Sequence, residues 1–263
     1  MFKFCSLYSG SSGNCSLVQT DNSNILIDAG ESCKRLTDSL SSLNIDPSQI
    51  DAILVTHEHI DHVKGLGTFS KKYSIPVYAN KDTWNAMPTQ QNKVSPDNIN
   101  TFSIGKPLNI GNVKIEPFSI PHDAANPCGF NIFYDNQKIS IATDIGHMDR
   151  NILQNLCYSS FILLESNYDT NILKCSPYPY SLKERIAGPN GHLSNDMAGN
   201  VISHLTNFGL KNAMLGHLSK ENNFPELAYK TVLEKLIENH VDNKLNHLSV
   251  ANRYETSKII NIG

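Results

Sequence analysis

The sequence has no long apolar run. No stretch approaches the roughly 20 apolar residues that a membrane-spanning helix needs, and the opening MFKFCSLYSGSSGNCS lacks the apolar segment of a signal peptide. No two cysteines have the CxxC spacing of a zinc or redox motif. We therefore expect a cytoplasmic protein with no membrane partner and with reduced thiols. Its six cysteines are scattered along the chain: Cys5, Cys15, Cys33, Cys128, Cys157 and Cys175.

The sequence also lacks a large excess of charge of either sign. Its 22 Lys and Arg against 25 Asp and Glu give a formal net charge of −3 over 263 residues. No global basic field points to a nucleic-acid partner, so the overall charge does not decide the substrate. Linkers, low-complexity tracts and short-period repeats are absent as well. We expect a single domain over 1–263, which is long enough for one sizeable core.

Short apolar runs recur along the chain, and each stops at a polar or metal-binding residue. Runs bounded by turn signals are typical of buried strands, which need helices outside them. The runs at 25–27, 52–56, 113–120, 139–143, 161–164 and 213–216 lead to Asp28, His57, His122, Asp144, Glu165 and His217. Helices are predicted over 31–43, 62–73, 81–87, 148–156, 195–208 and 225–240. This alternation predicts the α/β layered class, with the chemistry in loops at one set of strand ends.

The densest group of potential ligands is THEHIDH, residues 56–62, directly after a predicted strand. His57, His59, Asp61 and His62 all lie in this segment. The spacing is not the zincin HExxH, because Asp61 stands four residues beyond His57 and the two histidines do not share a helix face. The spacing suits a loop that folds back, with two ligands for each of two metals. Imidazole with carboxylate is a ligand set for zinc, iron or manganese, and the alternative is a solvated polar turn.

The HxHxDH pattern and the order of the later strand ends resemble the metallo-β-lactamase superfamily over nearly the whole chain. The resemblance implies a four-layer αββα sandwich of two mixed sheets flanked by helices. It also implies two divalent metal ions, zinc or manganese, with Asp28 orienting the ligand loop. Taken singly, His122 and Asp144 would more often be structural, and only the ordered set supports their role. The implied ligands are His57, His59, His122 and Asp144 for one metal, and Asp61, His62, Asp144 and His217 for the other.

Glu165 and the segment Gly191-His192-Leu193-Ser194 bear on the reaction. Phosphodiesterases of this superfamily, such as RNase Z, have a Glu and a His at similar positions as a proton-delivery pair. Cleavage of a phosphodiester expels a poor alkoxide leaving group, for which a general acid is useful. The resemblance implies that His192 is this acid and that Glu165 orients it. The alternative is a structural role for both residues, in which His192 caps the next helix and Glu165 forms an ion pair at the end of its strand.

Five segments resemble the YycJ (WalJ) group of this superfamily, bacterial exonucleases that act on DNA from a 5′ end. They are SSGN at 11–14, ESNYD at 165–169, YPYSLKERI at 178–186, GHLSN at 191–195 and GHLSKENN at 216–223. Ile60 and Tyr180 depart from the expected residues, a small side chain and often a tryptophan, but neither is at an implied ligand position.

Several residues in these segments are candidate contacts to a nucleic acid. The segment 166–190 is predicted to be a long loop in which basic residues alternate with aromatic ones, which suits phosphates and unstacked bases. A cover over the sheet edge is the alternative. The SSGN turn could present amides to a phosphate, or could simply be a hairpin turn. The candidate substrate-binding residues are Ser12, Asn14, Lys183, Arg185, Ser194, Asn222 and Asn223.

The function that we predict is phosphodiester hydrolysis by two bound metals, with DNA as the substrate and cleavage from the 5′ end. Metal-bound hydroxide is the expected nucleophile, and Asp61, His192 and Glu165 are the expected catalytic residues. An RNA-processing or small-molecule phosphodiesterase is one alternative, although the glycine-rich arm of an RNase Z is missing. The others are a thioester or lactone hydrolase of the same fold and a metal-binding signalling module without catalysis.

Overall fold

Two mixed β-sheets form the centre of the computed structural model, which describes residues 1–263. The first sheet contains β1 (Lys3–Tyr8), β2 (Cys15–Gln19), β3 (Asn24–Ile27), β4 (Ala52–Leu54), β5 (Val77–Asn80), β6 (Ile99–Phe102) and β14 (Ile260–Asn261). The second contains β7 (Leu108–Ile110), β8 (Val113–Ser119), β9 (Cys128–Tyr134), β10 (Gln137–Ala142), β11 (Phe161–Glu165), β12 (Asn212–Gly216) and β13 (His247–Val250). The strand orders are β14-β1-β2-β3-β4-β5-β6 and β13-β12-β11-β10-β9-β8-β7.

Each sheet changes from antiparallel to parallel pairing partway across. Strands β1 to β3 pair antiparallel, and β3 to β6 pair parallel. In the second sheet, β7 to β10 are antiparallel and β10 to β13 are parallel. Parallel neighbours end at the same edge of a sheet, which is where α/β proteins bind ligands. Strands β3 and β4, and strands β10 to β12, therefore deliver the residues that follow them to one rim.

Ten α-helices connect the strands. They are α1 (Cys33–Ser42), α2 (Ile60–Val63), α3 (Leu66–Tyr73), α4 (Lys81–Ala86), α5 (Pro88–Gln91), α6 (Arg150–Leu156), α7 (Thr170–Cys175), α8 (Tyr180–Ala187), α9 (Asn195–Thr206) and α10 (Pro225–Glu238). Five of the six predicted helical segments are confirmed as single helices, with ends within two residues of those predicted. Helix α9 begins after Ser194, whose side chain accepts the Met197 N–H at 3.2 Å. None of the helices combines the length and the apolarity that crossing a bilayer requires.

The core has three layers of apolar contacts, and these account for the four-layer architecture. Between the sheets, Phe4 packs on Phe161 with ring centroids 4.5 Å apart. Outside the first sheet, α1 and α3 bury apolar residues such as Leu36 and Phe69. Outside the second sheet, α9 and α10 do the same with residues such as Val232. The predicted αββα sandwich is confirmed. The prediction of one domain over 1–263 stays a prediction.

The segment 166–190 is not the long loop that the sequence predicted, because it contains α7 and α8. Asp169 begins α7 by accepting the backbone N–H groups of Asn171 and Ile172, both at 2.9 Å. Helix α8 follows Pro179 and buries none of its residues. Both helices are short, and α8 offers only Leu182 and Ile186 as a partly buried apolar pair four residues apart, which is too little periodicity to predict a helix.

The predicted helix over 62–73 is divided at Gly65 into α2 and α3. A Cβ atom at Gly65 would lie 1.9 Å from the Glu31 carbonyl oxygen, so only glycine allows this approach of the two backbones. The break separates the ligand segment from the helix that packs on the core. It depends on a contact between two loops, which helical periodicity does not report.

Candidate metal centre

Asp28 holds the THEHIDH segment in place. Its carboxylate accepts the Thr56 backbone N–H at 2.9 Å and the Thr56 hydroxyl at 2.9 Å. The same carboxylate lies 2.8 Å from His62 Nδ1, so this nitrogen donates and Nε2 is left facing the other ligand candidates. Asp28 therefore contacts both ends of the segment, as an orienting residue must. Thr56 was not predicted, although it directly precedes the first histidine.

Three of the residues that follow parallel strands adopt a left-handed backbone conformation. The φ angles are 62° at Asp28, 61° at Asp144 and 55° at His217. Such angles are unfavourable for residues other than glycine, and they cluster at functional sites. All three residues belong to the predicted site. The turn after each strand thus directs a polar side chain to the rim.

Four histidines share one arrangement in which an oxygen atom binds Nδ1. Nδ1 of His57 lies 3.0 Å from the Thr56 hydroxyl, and Nδ1 of His122 lies 3.1 Å from the Gly191 carbonyl. Asp28 binds Nδ1 of His62, and Glu165 binds Nδ1 of His217 at 3.0 Å. When each imidazole is neutral, Nε2 is then the nitrogen with a free lone pair, which is the usual arrangement of a metal-binding histidine.

The predicted ligands form two adjacent groups around Asp144. His57, His59 and His122 bring ligand atoms within 4.8 Å of one another, and so do Asp61, His62 and His217. Asp144 lies between the groups, with Oδ1 3.6 Å from His122 Nε2 and 3.5 Å from His217 Nε2. Its Oδ2 lies 3.3 Å from His62 Nε2. All seven predicted ligands therefore lie close together, in clusters that overlap at Asp144. Their division between two metal ions stays a prediction.

The donor atoms of this cluster fit divalent metal ions. His57 Nε2 and Asp144 Oδ2 are buried and have no hydrogen-bond partner, which is rare in folded proteins unless a ligand completes the site. Burial and the neighbouring His62 hold the pKa of His57 well below its usual value, so its imidazole is neutral. Neutral imidazole and carboxylate oxygen are the ligands that zinc and manganese accept.

Opposite charges at the centre keep the carboxylates ionised. Burial alone would raise the pKa of Asp144, but His217 and His62 hold it well below its ordinary value. Burial alone would lower the pKa of His217, but Asp144, Asp61 and Glu165 raise it to about 10. A proton therefore occupies His217 near neutral pH, and a bound cation must displace it. Metal binding at this centre would therefore release a proton from His217.

Glu165 and His192 form a pair beside the cluster. Glu165 is fully buried at the end of β11, and its Oε1 lies 2.7 Å from His192 Nδ1. Its other oxygen accepts the Ile145 N–H at 2.8 Å and the Leu193 N–H at 3.1 Å. Burial opposes protonation of His192, but the charge of Glu165 and the hydrogen bond to it raise the pKa of His192. His192 does not cap the next helix, because Ser194 does.

Asn167 and Asp123 are further residues of the site that the sequence did not single out. The Asn167 amide donates to the His217 carbonyl at 2.7 Å, and its side chain is buried. Asp123 Oδ1 lies 3.4 Å from His122 Nε2, and Oδ2 accepts Arg185 Nε at 2.6 Å. Each is a near neighbour of a predicted site residue, Asn167 in ESNYD and Asp123 directly after His122. That adjacency was the available signal.

The structure brings two of the candidate substrate-binding residues to the site. SSGN is the hairpin turn between β1 and β2, with Ser12 exposed. Asn14 is buried, and its Nδ2 lies 3.2 Å from Asp61 Oδ2 and 3.0 Å from His62 Nε2. Arg185 lines a pocket of about 220 Å³ together with His192. Asn14 therefore contacts ligand candidates, whereas Arg185 faces the space beside the proposed acid.

The remaining candidates have mainly structural contacts. Lys183 donates to the Lys174 carbonyl at 2.7 Å, and Ser194 caps α9. Asn222 and Asn223 are buried rather than on the rim, and Asn223 Nδ2 donates to the Ser166 carbonyl at 2.8 Å. Substrate binding by these residues stays a prediction.

Residues 23–217 match the model of a beta-lactamase superfamily domain. The chain belongs to this superfamily. Exodeoxyribonuclease WalJ of Streptococcus pneumoniae serotype 2 is 38% identical over 237 residues, which cover 89% of this chain and 88% of that protein. Exodeoxyribonuclease YycJ of Bacillus anthracis is 37% identical over 235 residues, 89% of each chain. The predicted membership of the metallo-β-lactamase superfamily and its YycJ (WalJ) group is confirmed.

The fold of this superfamily member is also that of solved structures. The metallo-beta-lactamase fold protein YhfI from Bacillus subtilis superposes with a TM-score of 0.70 at 13% identity. The superposition covers 98% of this chain and 100% of that chain. At this identity the likeness concerns the fold alone.

Proposed function

We propose that this beta-lactamase superfamily protein is a metal-dependent exodeoxyribonuclease that hydrolyses DNA from a 5′ end. The observation that carries the proposal is its 38% identity, over 89% of the chain, with a protein named exodeoxyribonuclease. The centre supports the chemistry, because its imidazoles and carboxylates converge beside an accessible histidine.

Two divalent ions, zinc or manganese, are proposed for the centre. His57, His59 and His122 would hold one, Asp61, His62 and His217 the other, and Asp144 would contact both. When bound, the ions would supply an activated water and stabilise negative charge on the phosphate oxygens. Asp61 has a second role as a hydrogen-bond partner of Asn14, which keeps the SSGN turn close to the ligands.

His192 is proposed to protonate the leaving oxygen. Because its Nδ1 faces Glu165, Nε2 is the nitrogen that can deliver a proton to substrate. The buried Glu165 carboxylate favours the imidazolium form and fixes the plane of the ring. The same oxygen of Glu165 lies 3.0 Å from His217 Nδ1, so one carboxylate orients both the acid and a ligand.

The pocket beside His192 is proposed to receive the phosphate end of the substrate. Arg185, which lines it, is held by Asp123, and its side chain is 64% exposed. A phosphate would compete with Asp123 for the guanidinium, because Asp123 Oδ2 accepts from Nε and Nη2 of Arg185, two donors that phosphate oxygens also bind. Lys183 on the same helix would add positive charge, and Ser12 is the exposed neighbour of Ser11, which lines the pocket.

The test is digestion of end-labelled linear DNA and matched RNA, each with and without a 5′ phosphate. Manganese or zinc is supplied in turn, and Asp61→Ala is compared with Asp97→Ala, which removes an exposed carboxylate away from the centre. We expect metal-dependent stepwise loss of nucleotides from the 5′ end of DNA, lost in Asp61→Ala and kept in Asp97→Ala. Cleavage of RNA alone, or of neither polymer, would contradict the proposal.

A further inference from the structure

A second groove lies beside the metal centre, and we name it the 224–254 groove. It measures about 410 Å³ and is lined by residues from two segments, 218–225 after β12 and 250–254 after β13. Ser219 lines both this groove and the pocket that contains His192. Ser9 also lines the groove, and its hydroxyl accepts the His217 N–H at 2.8 Å. The groove therefore continues directly from the proposed active site.

Two aromatic rings of this groove are exposed to solvent. Phe224 is 48% exposed and is the only exposed phenylalanine of the ten in the chain, while Tyr254 is 51% exposed. Neither ring packs in the apolar core. Leaving large apolar rings in water is unfavourable, and exposed aromatic surface next to an active site is typical of a ligand-binding surface.

The backbone beneath both rings is held in place. The Phe224 N–H donates to Asn223 Oδ1 at 3.0 Å, and Asn223 is anchored to the carbonyls of Ser166 and Asn167. The Tyr254 N–H donates to Asn252 Oδ1 at 2.9 Å. A ring on a fixed backbone loses little conformational freedom when a ligand stacks on it, so binding is less opposed by entropy.

The charged side chains that line the groove are both cationic. Lys220 is exposed, and Arg253 donates to the Leu218 carbonyl while its guanidinium packs beside Gly10 of the β1–β2 turn. No acidic residue lines the groove itself, although Glu221 lies near enough to act on the charge of Arg253 and Glu255 accepts a hydrogen bond from Asn252 at 3.4 Å. Exposed rings with adjacent cations are the combination that single-stranded nucleic acids bind, through base stacking and phosphate contacts.

We propose that the 224–254 groove binds unpaired nucleotides of the DNA strand whose terminal phosphodiester lies at the metal centre. Bases stack on Phe224 and Tyr254, and Lys220 contacts the phosphate between them. The inference rests on the proposed exodeoxyribonuclease function for the identity of the ligand. It assigns a binding surface outside the ligand cluster and outside the pocket beside His192.

The first test measures the affinity for single-stranded DNA without cleavage. A fluorescein-labelled oligothymidylate is titrated by anisotropy into Asp61→Ala protein and into the same protein carrying Phe224→Ala or Tyr254→Ala. Each substitution should raise Kd roughly tenfold, which is the effect expected from losing one base–aromatic stacking contact. Phe224→Trp should restore binding. Tyr229→Ala, an exposed tyrosine on α10 that does not line the groove, should leave Kd unchanged.

A second test separates binding from a structural effect on the site. With otherwise wild-type protein, Phe224→Ala should raise KM for the oligonucleotide roughly tenfold and leave the rate on bis(p-nitrophenyl) phosphate unchanged, because that phosphodiester is too small to reach the rings. An equal loss on both substrates would overturn the inference, as would an unchanged Kd. So would equally good competition by blunt duplex, since its bases are not free to stack.

The outcomes keep the inference and the proposed function apart. Ring-dependent binding by a protein that cleaves no DNA would refute the proposed function and leave the groove assignment standing. Stepwise cleavage of DNA with ring-independent binding would refute the groove alone.

Discussion

His192 is more accessible than four of the other five histidines of the centre. Its side chain is 22% exposed, whereas those of His57, His62, His122 and His217 are buried. A residue that delivers a proton must reach the substrate, while a ligand needs only to reach the metal. His59 is also partly exposed, so accessibility separates the proposed acid from the four buried histidines but not from every proposed ligand.

The role of His192 as an acid can be tested by comparing DNA with a substrate whose leaving group needs no proton. We expect His192→Ala to lower kcat on DNA roughly 100-fold or more, the usual contribution of a general acid. The loss should be much smaller on a p-nitrophenyl phosphodiester, whose leaving group departs without a proton. The ratio of the two rates is the measurement, with metal content as the control. An equal loss on both substrates would assign His192 to metal or phosphate binding instead.

Lys138 is a second titratable residue of interest, on β10 and away from the centre. Its ammonium donates to the Cys157 carbonyl at 2.8 Å, and burial lowers its pKa to about 8. The ordinary lysine pKa is about 10.4, so between these values the unfolded chain binds more protons than the folded one. Stability contributed by this residue therefore rises as pH increases through that window.

We expect the free energy of unfolding, relative to Lys138→Met, to increase by on the order of 1 kcal/mol between about pH 7 and about pH 10, a value discounted for partial solvent screening. Urea unfolding of both proteins at the two pH values measures it. The methionine variant controls for every other group that titrates over this range. A difference that is constant or falls with pH would show that the ammonium is not disfavoured by its surroundings.

At the scale of secondary-structure elements, the centre depends on close contacts between loop backbones, at positions where there is no room for a side chain. The Asn14 N–H donates to the Asp61 carbonyl at 2.7 Å, and the Gly30 N–H donates to the Asn14 carbonyl at 2.9 Å. A Cβ at Gly30 would lie 1.7 Å from the Asp61 carbonyl oxygen. The turn after β3 thus supports the ligand segment after β4 by backbone contact.

We therefore expect Gly30→Ala to move Asp61 and to lower metal content by at least about half, with a destabilisation of roughly 1–3 kcal/mol from overpacking. Metal analysis and thermal unfolding measure the two effects. Gly209→Ala is the matched control, since an added Cβ there meets no atom within 4 Å although φ is +93°. That variant should lose some stability and keep its metal. Full metal content in Gly30→Ala would show that the ligand segment does not need this contact.

Across the whole molecule, the centre joins the two sheets. His57 to His62 follow β4 of the first sheet, while Asp144 and His217 follow β10 and β12 of the second. Ions held by both groups would link the sheets at their rim. They would also neutralise the buried carboxylates. Because the ions would bind the folded chain more tightly than the unfolded one, we expect them to stabilise the protein.

Manganese or zinc at one hundred times its Kd should stabilise the folded protein by about 2.7 kcal/mol. The melting temperature of chelator-treated protein should then rise by roughly 5–10 °C when the metal is added. Asp144→Ala should abolish most of this increase because Asp144 contacts both ligand groups. Asp97→Ala should keep it. Calorimetry with and without metal makes the comparison, and an equal response of the two variants would contradict a centre that spans the sheets.

The sequence by itself determined the ligand candidates and the layered fold. Asp28 and His57 follow parallel strands of the first sheet, and Asp144, Glu165 and His217 lie at the ends of parallel strands of the second. Because parallel strands end at a common edge, a local pattern was enough to bring each set to the edge of its own sheet. The superfamily resemblance added the order of these residues. Both kinds of information lie along the chain and do not depend on how distant segments pack.

The tertiary structure alone decided the contacts that complete the site. Ser9 binds the His217 N–H across 208 residues of chain, and Asn14 reaches Asp61 across 47. Helix α8 has no fully buried residue, and the 224–254 groove forms only where the ends of β12 and β13 meet the β1–β2 turn. Such contacts are fixed by the packing of two sheets whose relative placement depends on the whole core. No local period or spacing in the sequence encodes them.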